Sequence, residues 1–232
     1  RRQRQMCIRD RVKGFPLIKF QSEERIESLQ NGLIYMNSLE WFRNHESDNG
    51  DEVIGDSFEA MFHINEGKFI LPDTGEKIEI KDELIQTTSS NDYAYCMFGV
   101  NPYSKNFSFT DEQKENIQNF GDTALLILDK DEFFNRLRTA ALKEGYEIYG
   151  GFVQYYDETQ DSLNLILSLL SGMHNIAYWK RKKYCYQQEF RFLVHTQNCE
   201  KDHLELNIGD IRDISKVFKT SKILNAEVVK IK

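Results

Sequence analysis

The stretch YCYQQEFRFLV, Tyr184–Val194, decides how this chain is read. As a β-strand it alternates faces, with Tyr186, Gln188, Phe190, Phe192 and Val194 on one side and Gln187, Glu189 and Arg191 on the other. The first set has the composition of a core face. The second lines up an amide, a carboxylate and a guanidinium at two-residue spacing on a stiff element. Two readings stay open for that row: a solvated sheet face carrying cross-strand ion pairs, or one wall of a site.

Working outward, the N-terminal part predicts a strand, a helix and a second strand in close order. Leu17–Phe20 is a short apolar run after Pro16, with Lys19 opposite Ile18 and Phe20. Ser22–Asn31 reads as a helix: Ser22 can cap it, Glu23 and Glu24 suit the positive end of its dipole, and Gly32 fits the position just past its end. Leu33–Asn37 is the second strand, and Asn37 or Ser38 caps a helical turn bearing Leu39, Trp41 and Phe42.

Farther along, Phe58, Ala60, Phe62 and Ile64 alternate with polar residues, and two short runs flank the turn Pro72-Asp73-Thr74-Gly75 as a hairpin. Tyr93–Phe98 reads as a buried strand. Thr110 and Gln113 have capping-box spacing. Thr123–Leu128 has the apolar run of a central strand, followed by a helix to Glu144 with Phe133, Phe134, Leu137 and Ala141 inward. Tyr146–Tyr156 reads as one strand, Ser162–Leu170 as a buried helix, Leu204–Ile208 and Ala226–Ile231 as further strands. Ile211, Ile214 and Val217 fall in a polar segment between those two. The order of short strands and few helices predicts an α+β fold, mostly antiparallel, with twisted mixed sheets flanked by short helices; two small sheets forming a cleft are one such arrangement. Residues 1–16 read as an N-terminal tail and 17–232 as a single domain.

Composition bounds the function classes. With 232 residues, 40% of them hydrophobic and 12% aromatic, the chain can build a globular core. A formal charge of -7 argues against general binding to a phosphate backbone. No stretch approaches the roughly 20 apolar residues of a membrane span and no apolar leader opens the sequence, so the expectation is a cytoplasmic protein with no membrane contact. Cys7, Cys96, Cys185 and Cys199 lack zinc-site spacing, and Cys96 and Cys185 fall in apolar runs that predict buried thiols.

Two other stretches carry candidate chemistry. Asp48, Asp51, Glu52, Asp56 and Glu59 are carboxylates of the kind a metal-dependent nuclease or phosphodiesterase converges on a cation, although the spacing matches no calcium loop and the alternative is a solvated loop over 44–55. Trp179-Lys180-Arg181-Lys182-Lys183-Tyr184 interleaves cations with aromatics, as a phosphate or nucleic-acid contact does, against the same bland alternative. His45, His63, His174, His195 and His203 have no metal-ligand spacing. Gly150-Gly151 inside a strand marks a bulge or close packing.

The order LIKF, ERIESLQNGLIYMNSLEWF, GDSFEA, YCMF, ALLILDKDEFF, GGFVQYYD and YWKRKKYCYQQEFRFLV resembles an uncharacterised bacterial family, a domain of unknown function met in mobile-element and phage-defence neighbourhoods. The likeness runs from Leu17 to Val194. Lys19, Tyr35 and Gln187-Gln188-Glu189 also resemble, in order, the ADP-ribosyltransferase superfamily, whose members carry a basic residue on an early strand, an aromatic downstream and a late Gln-x-Glu. Lys19 departs from the His or Arg usual at the first position. What this second likeness implies is NAD as substrate, in a cleft between two small sheets and with no metal. Lys19, with Asn37 and Arg191, would hold phosphate or ribose, and Tyr35 would stack near nicotinamide. Glu189 would stabilise the cation as nicotinamide leaves, and Gln187 would orient a protein or nucleic-acid acceptor. A non-catalytic module that senses a ligand through Gln187, Glu189 and Arg191 is the third reading.

Overall fold

A computed structural model describes residues 15–50, 54–64, 67–70, 73–80, 83–86, 92–100, 106–157, 173–196 and 202–229. In chain order the first elements are β1 (Leu17–Gln21), α1 (Glu23–Gln30), β2 (Leu33–Ser38) and α2 (Leu39–Asn49). Four short strands follow, β3 (Met61–Ile64), β4 (Gly67–Ile70), β5 (Lys77–Ile80) and β6 (Glu83–Gln86). Next come β7 (Asp92–Gly99), β8 (Asn106–Ser108), α3 (Asp111–Ile117), β9 (Thr123–Ile127) and α4 (Lys130–Lys143). The C-terminal part adds β10 (Glu147–Phe152), β11 (Gln154–Tyr156), β12 (Trp179–Arg181), β13 (Glu189–His195), β14 (His203–Asn207), β15 (Ser215–Lys219) and β16 (Glu227–Val229), with a short helix at Thr220–Leu224.

The fold is α+β and mostly antiparallel, as its sequence pattern implies. Its main sheet has eight strands in which β7 is the hub. DYAYCMFG is nearly all apolar, and seven of its eight residues are buried, as a strand covered on both faces should be. One edge of β7 pairs with β13 along its whole length, from Glu189 opposite Phe98 to His195 opposite Asp92. The other edge is shared. β1 takes Gly99 and Phe98, whereas β2 takes Ala94 and Tyr93, so positions 95–97 lie between two diverging strands and the sheet forks there. One tine continues through β9 to β15, the other carries β14, and β10 flanks β13 outside. The cleft expected between two small sheets is therefore a split within one sheet, because β1 and β2 compete for the same edge of β7.

Helix α1 joins the tines. Ser22 stands at its N-cap without making a side-chain bond, and Ile26 and Leu29 supply its buried stripe. Ser38 does cap α2, accepting from the Trp41 N–H at 3.0 Å. The Thr110–Gln113 capping box forms at both of its bonds. α1 and α4 cover the face of Tyr93, Tyr95, Met97, Phe192 and Val194. The opposite face packs in two clusters, one around Leu39, Ala94, Leu193 and Trp179 and one around Phe20, Phe98, Phe109 and Ile117.

Several sequence expectations are corrected. The acidic stretch 44–55 is not one loop: α2 runs through it to Asn49. The alternation from Phe58 becomes a strand only at Met61, after a turn in which Ala60 has a positive φ of 54°. The strand expected over 146–156 breaks at Val153, whose N–H bonds the Glu189 carbonyl and so redirects the chain into β11. The polar segment at 215–219 is an edge strand, with Lys216 and Lys219 among its outward residues. Cys185 is exposed, because its segment is a 3₁₀ turn and not a strand. The helix expected at Ser162–Leu170 lies outside the described residues. No helix among them is long and apolar enough to cross a membrane.

The tine made of β2 and β14 depends on a close backbone approach. Gly32 has φ +96°, and a Cβ there would stand 2.3 Å from the Gly209 carbonyl oxygen. Replacing Gly32 by Ala is expected to lower stability by about 2 kcal/mol or more. Urea denaturation of the variant checks this, with the midpoint falling at unchanged slope.

Candidate functional site

The fork opens into a cavity of about 600 Å³, within the range of small-molecule sites. Lys19, Tyr35, Asn37, Gln187, Glu189 and Arg191 all lie on its wall, joined by Arg25, Trp41, His45, Glu59, Cys96 and Lys180. Each arrives by a simple local rule. Lys19 alternates with the buried Ile18 and Phe20 on β1, and Tyr35 and Asn37 alternate with the buried Ile34 and Met36 on β2.

Glu189 and Arg191 do share a strand face, but that face is not solvated. Their residues are 4% and 1% exposed, which removes the reading of a wet sheet surface. Arg191 is held by two carboxylates: its Nε donates to Glu189 Oε1 at 2.6 Å, and its Nη1 and Nη2 donate to Glu59 Oε1 and Oε2 at 2.5 and 3.2 Å. Nη1 also donates to the Ala177 carbonyl. The Lys180 ammonium completes the cluster, 3.6 Å from Glu189 Oε2 and 3.9 Å from Glu59 Oε2. Two carboxylates and two cations balance, as buried charge requires.

Gln187 is a correction. It ends a 3₁₀ turn, Lys182–Gln187, and Gln188 follows with a left-handed φ of 39°, so β13 begins at Glu189. Gln187 reaches the cavity from that turn, and its Oε1 accepts from Lys180 Nζ at 2.9 Å. Among the described residues the two non-glycine positions with positive φ, Ala60 and Gln188, directly adjoin the carboxylates Glu59 and Glu189. Backbone strain of this kind costs about 1–3 kcal/mol and persists where surrounding contacts fix it.

The basic segment is likewise not a solvated loop. Trp179, Lys180 and Arg181 form a buried strand paired in parallel with β11. Arg181 bonds Asp56 through Nε at 3.1 Å and Nη2 at 2.5 Å, and its guanidinium lies 4.5 Å from the Phe58 ring centre. Asp56 and Glu59 are thus each taken up by an arginine. Among the described residues no group of three or more His, Cys, Asp or Glu is placed to hold a metal, while Asp51 and Glu52 lie outside them.

Electrostatics separate the residues by role. Burial alone raises the Glu189 carboxyl, but the Arg191 guanidinium and Lys180 ammonium bring it down to about 2, so it is an anion at neutral pH. Burial pushes the Cys96 thiol up to about 12, helped by Glu189, and keeps it protonated. Lys19, half-buried, donates to the Cys96 carbonyl at 2.8 Å and lies 4.7 Å over the Tyr95 ring. Burial lowers its ammonium below the usual value, partly offset by the pull of Glu189 and reinforced by the weaker repulsion of Arg25.

Two rings on the cavity wall, Tyr35 and Trp41, are each stacked on a histidine. Tyr35 stacks on His203 at 4.8 Å across β2 and β14, and Trp41 stacks on His45 at 4.3 Å along α2. Glu59 and Trp41 had a sequence signal, a charge or large ring inside an otherwise apolar pattern, and Lys180 stood in the basic run 179–184, but nothing local assigned them to one site. Comparison with protein-family models, curated proteins and solved structures gives no match.

Two outcomes test this cluster. Arg191→Met leaves Glu59 and Glu189 buried with one cation fewer and is expected to cost about 3–5 kcal/mol, measured by chemical denaturation, with Glu59→Gln in the same chain recovering part of the loss. The Glu189 carboxyl lies lower in the folded chain than its ordinary value of 4.5. Its stabilising contribution is therefore full above pH about 4.5 and lost as pH falls toward 2. Glu189→Gln should flatten the stability profile across that window, and an unchanged slope there would contradict the assignment.

Proposed function

We propose that the chain cleaves the nicotinamide–ribose bond of NAD and transfers ADP-ribose, in the manner of an ADP-ribosyltransferase, as a toxin or phage-defence effector. The observation that carries the reading is the convergence at one fork of a lysine ammonium, stacked rings and a buried ionised carboxylate. Phosphates suit Lys19 and Arg25. A planar ring suits Tyr35, with its second face already covered by His203.

The glycosidic step needs little covalent help. The C–N electron pair leaves with nicotinamide, a cation develops on the ribose, and the acceptor's lone pair closes the new bond. Glu189 contributes by contact: Oε1 is committed to Arg191, while the carboxylate keeps lone pairs for a ribose hydroxyl. Because its group lies at about 2, it is a poor proton acceptor at neutral pH, so its role is electrostatic and orienting. Lys180 fixes Gln187 through its Oε1, and the Gln187 amide nitrogen donates to the Tyr186 hydroxyl at 3.4 Å, so the amide that would orient an acceptor is held at both ends.

The balanced charge of the Glu59, Arg191, Glu189 and Lys180 cluster favours a second reading, a module that binds its ligand without turning it over. Mass spectrometry of nicotinamide released from NAD, with and without cell lysate, separates the two. The catalytic reading expects Glu189→Gln to lower release by about 100-fold or more, and Lys19→Ala to raise KM by about 10-fold or more. Release by the Glu189 variant at the wild-type rate contradicts it, and saturable binding with no product supports the second reading.

A further inference from the structure

The cavity is longer than a single carboxylate site needs, and β7 provides a ruler for it. Glu189 lies opposite Phe98, and Ser38, where β2 hands over to α2, lies opposite Tyr93. Five residues of strand separate those levels, about 17 Å at the usual rise. Between them stands Cys96, whose carbonyl holds the Lys19 ammonium. In an antiparallel ladder alternate residues turn their N–H and C=O to the same edge. Ala94 and Phe98 meet β2 and β1 at this edge, so the backbone of Cys96 faces the fork itself. The Glu189 carboxylate and the Lys19 ammonium thus meet β7 at Cys96, while α2 starts at the Tyr93 level.

Trp41 sits at the far level, in the first turn of α2, and lines the cavity while half-buried. One side of its ring is backed by His45, 4.3 Å away and inclined by 19°, and Phe42 meets it edge-on at 5.3 Å. A ring held on two sides loses little further freedom on receiving a planar ligand. It belongs to none of the three packed cores, whereas Phe42 beside it does pack against one. A large aromatic at a cavity mouth, outside the core and braced by an imidazole, has the placement of a stacking platform.

We propose that Trp41, braced by His45, is a nucleobase platform, and that the cavity takes a nucleoside diphosphate moiety with its base on Trp41 and its diphosphate at Lys19 and Arg25. This rests on the nucleotide part of the reading above and not on the glycosidic step. It assigns the adenosine end of a dinucleotide to α2 and leaves Tyr35 and Glu189 for the other end. Stacking gives affinity for the base without fixing its identity, so purine diphosphates should compete with one another.

Isothermal titration of the full chain with ADP, and separately with inorganic pyrophosphate, tests it. Wild type is expected to bind ADP saturably, and Trp41→Leu to bind it about 5- to 150-fold more weakly, the range for losing one base stack. Trp41→Phe keeps a ring and should retain most of the affinity, which separates a lost platform from a misfolded chain. Pyrophosphate should bind wild type and Trp41→Leu within about twofold, since Lys19 and Arg25 are intact. Equal ADP affinity in wild type and Trp41→Leu overturns the proposal, as does no ADP binding by wild type at millimolar concentration. ADP binding that depends on Trp41 without NAD turnover keeps the platform and removes the catalytic reading. NAD turnover with a KM unaffected by Trp41→Leu does the reverse.

Discussion

A guanidinium with no access to water must find anions, and Arg191 finds two. Its side chain is 1% exposed and bonded to Glu59 and Glu189, with a fourth contact to the Ala177 carbonyl. Through those bonds one residue of β13 ties together the turn before β3, the 3₁₀ segment before β12 and its own strand. The arrangement is poor as a source of net stability, because desolvating four charges offsets most of their attraction. What it supplies is geometry: two carboxylates and a lysine are fixed on the wall of a cavity. The left-handed residues Ala60 and Gln188, next to the two carboxylates, show what the backbone gives up for that geometry.

The cavity itself follows from a conflict over one edge. β7 accepts β13 along one side without interruption, whereas β1 and β2 divide the other side between them. Where neither pairs, the exposed edge must bond to something, and the Lys19 ammonium takes the Cys96 carbonyl. The same split that opens the space therefore draws a cation into it. Aromatic rings from β2 and α2 border it, Tyr35 stacked on His203 of β14 and Trp41 on His45 of its own helix. A cation, braced rings and an ionised carboxylate lie in one hollow as a consequence of how three strands meet.

Much of the scaffold was legible in the sequence because it obeys local rules. Alternation on β1 and β2 turns Lys19 away from Ile18 and Phe20, and Tyr35 and Asn37 away from Ile34 and Met36, and the capping patterns at Ser38 and Thr110 form as read. The failures have a common cause. Trp179–Arg181 looks solvated because its charges are neutralised by residues far away in the chain: Asp56 stands 125 positions from Arg181, and Glu59 stands 132 from Arg191. No local pattern announces such a pairing. The 3₁₀ turn at Lys182–Gln187 was hidden for a related reason, since an alternating polar and apolar sequence fits a strand until tertiary contacts impose the left-handed kink at Gln188. Fork and cavity were illegible for the same reason, as they depend on where along β7 the pairing passes from β1 to β2.

If a dinucleotide lies in the fork with its reacting end at Glu189, each of its parts has a stated place. A crystal structure grown with ADP-ribose tests this most directly. The account predicts diphosphate oxygens within hydrogen-bond distance of Lys19 Nζ, the adenine ring on Trp41 and the terminal ribose against the Glu189 carboxylate. Ligand bound elsewhere on the protein, or lying in the fork with its terminal ribose turned away from Glu189, would contradict it.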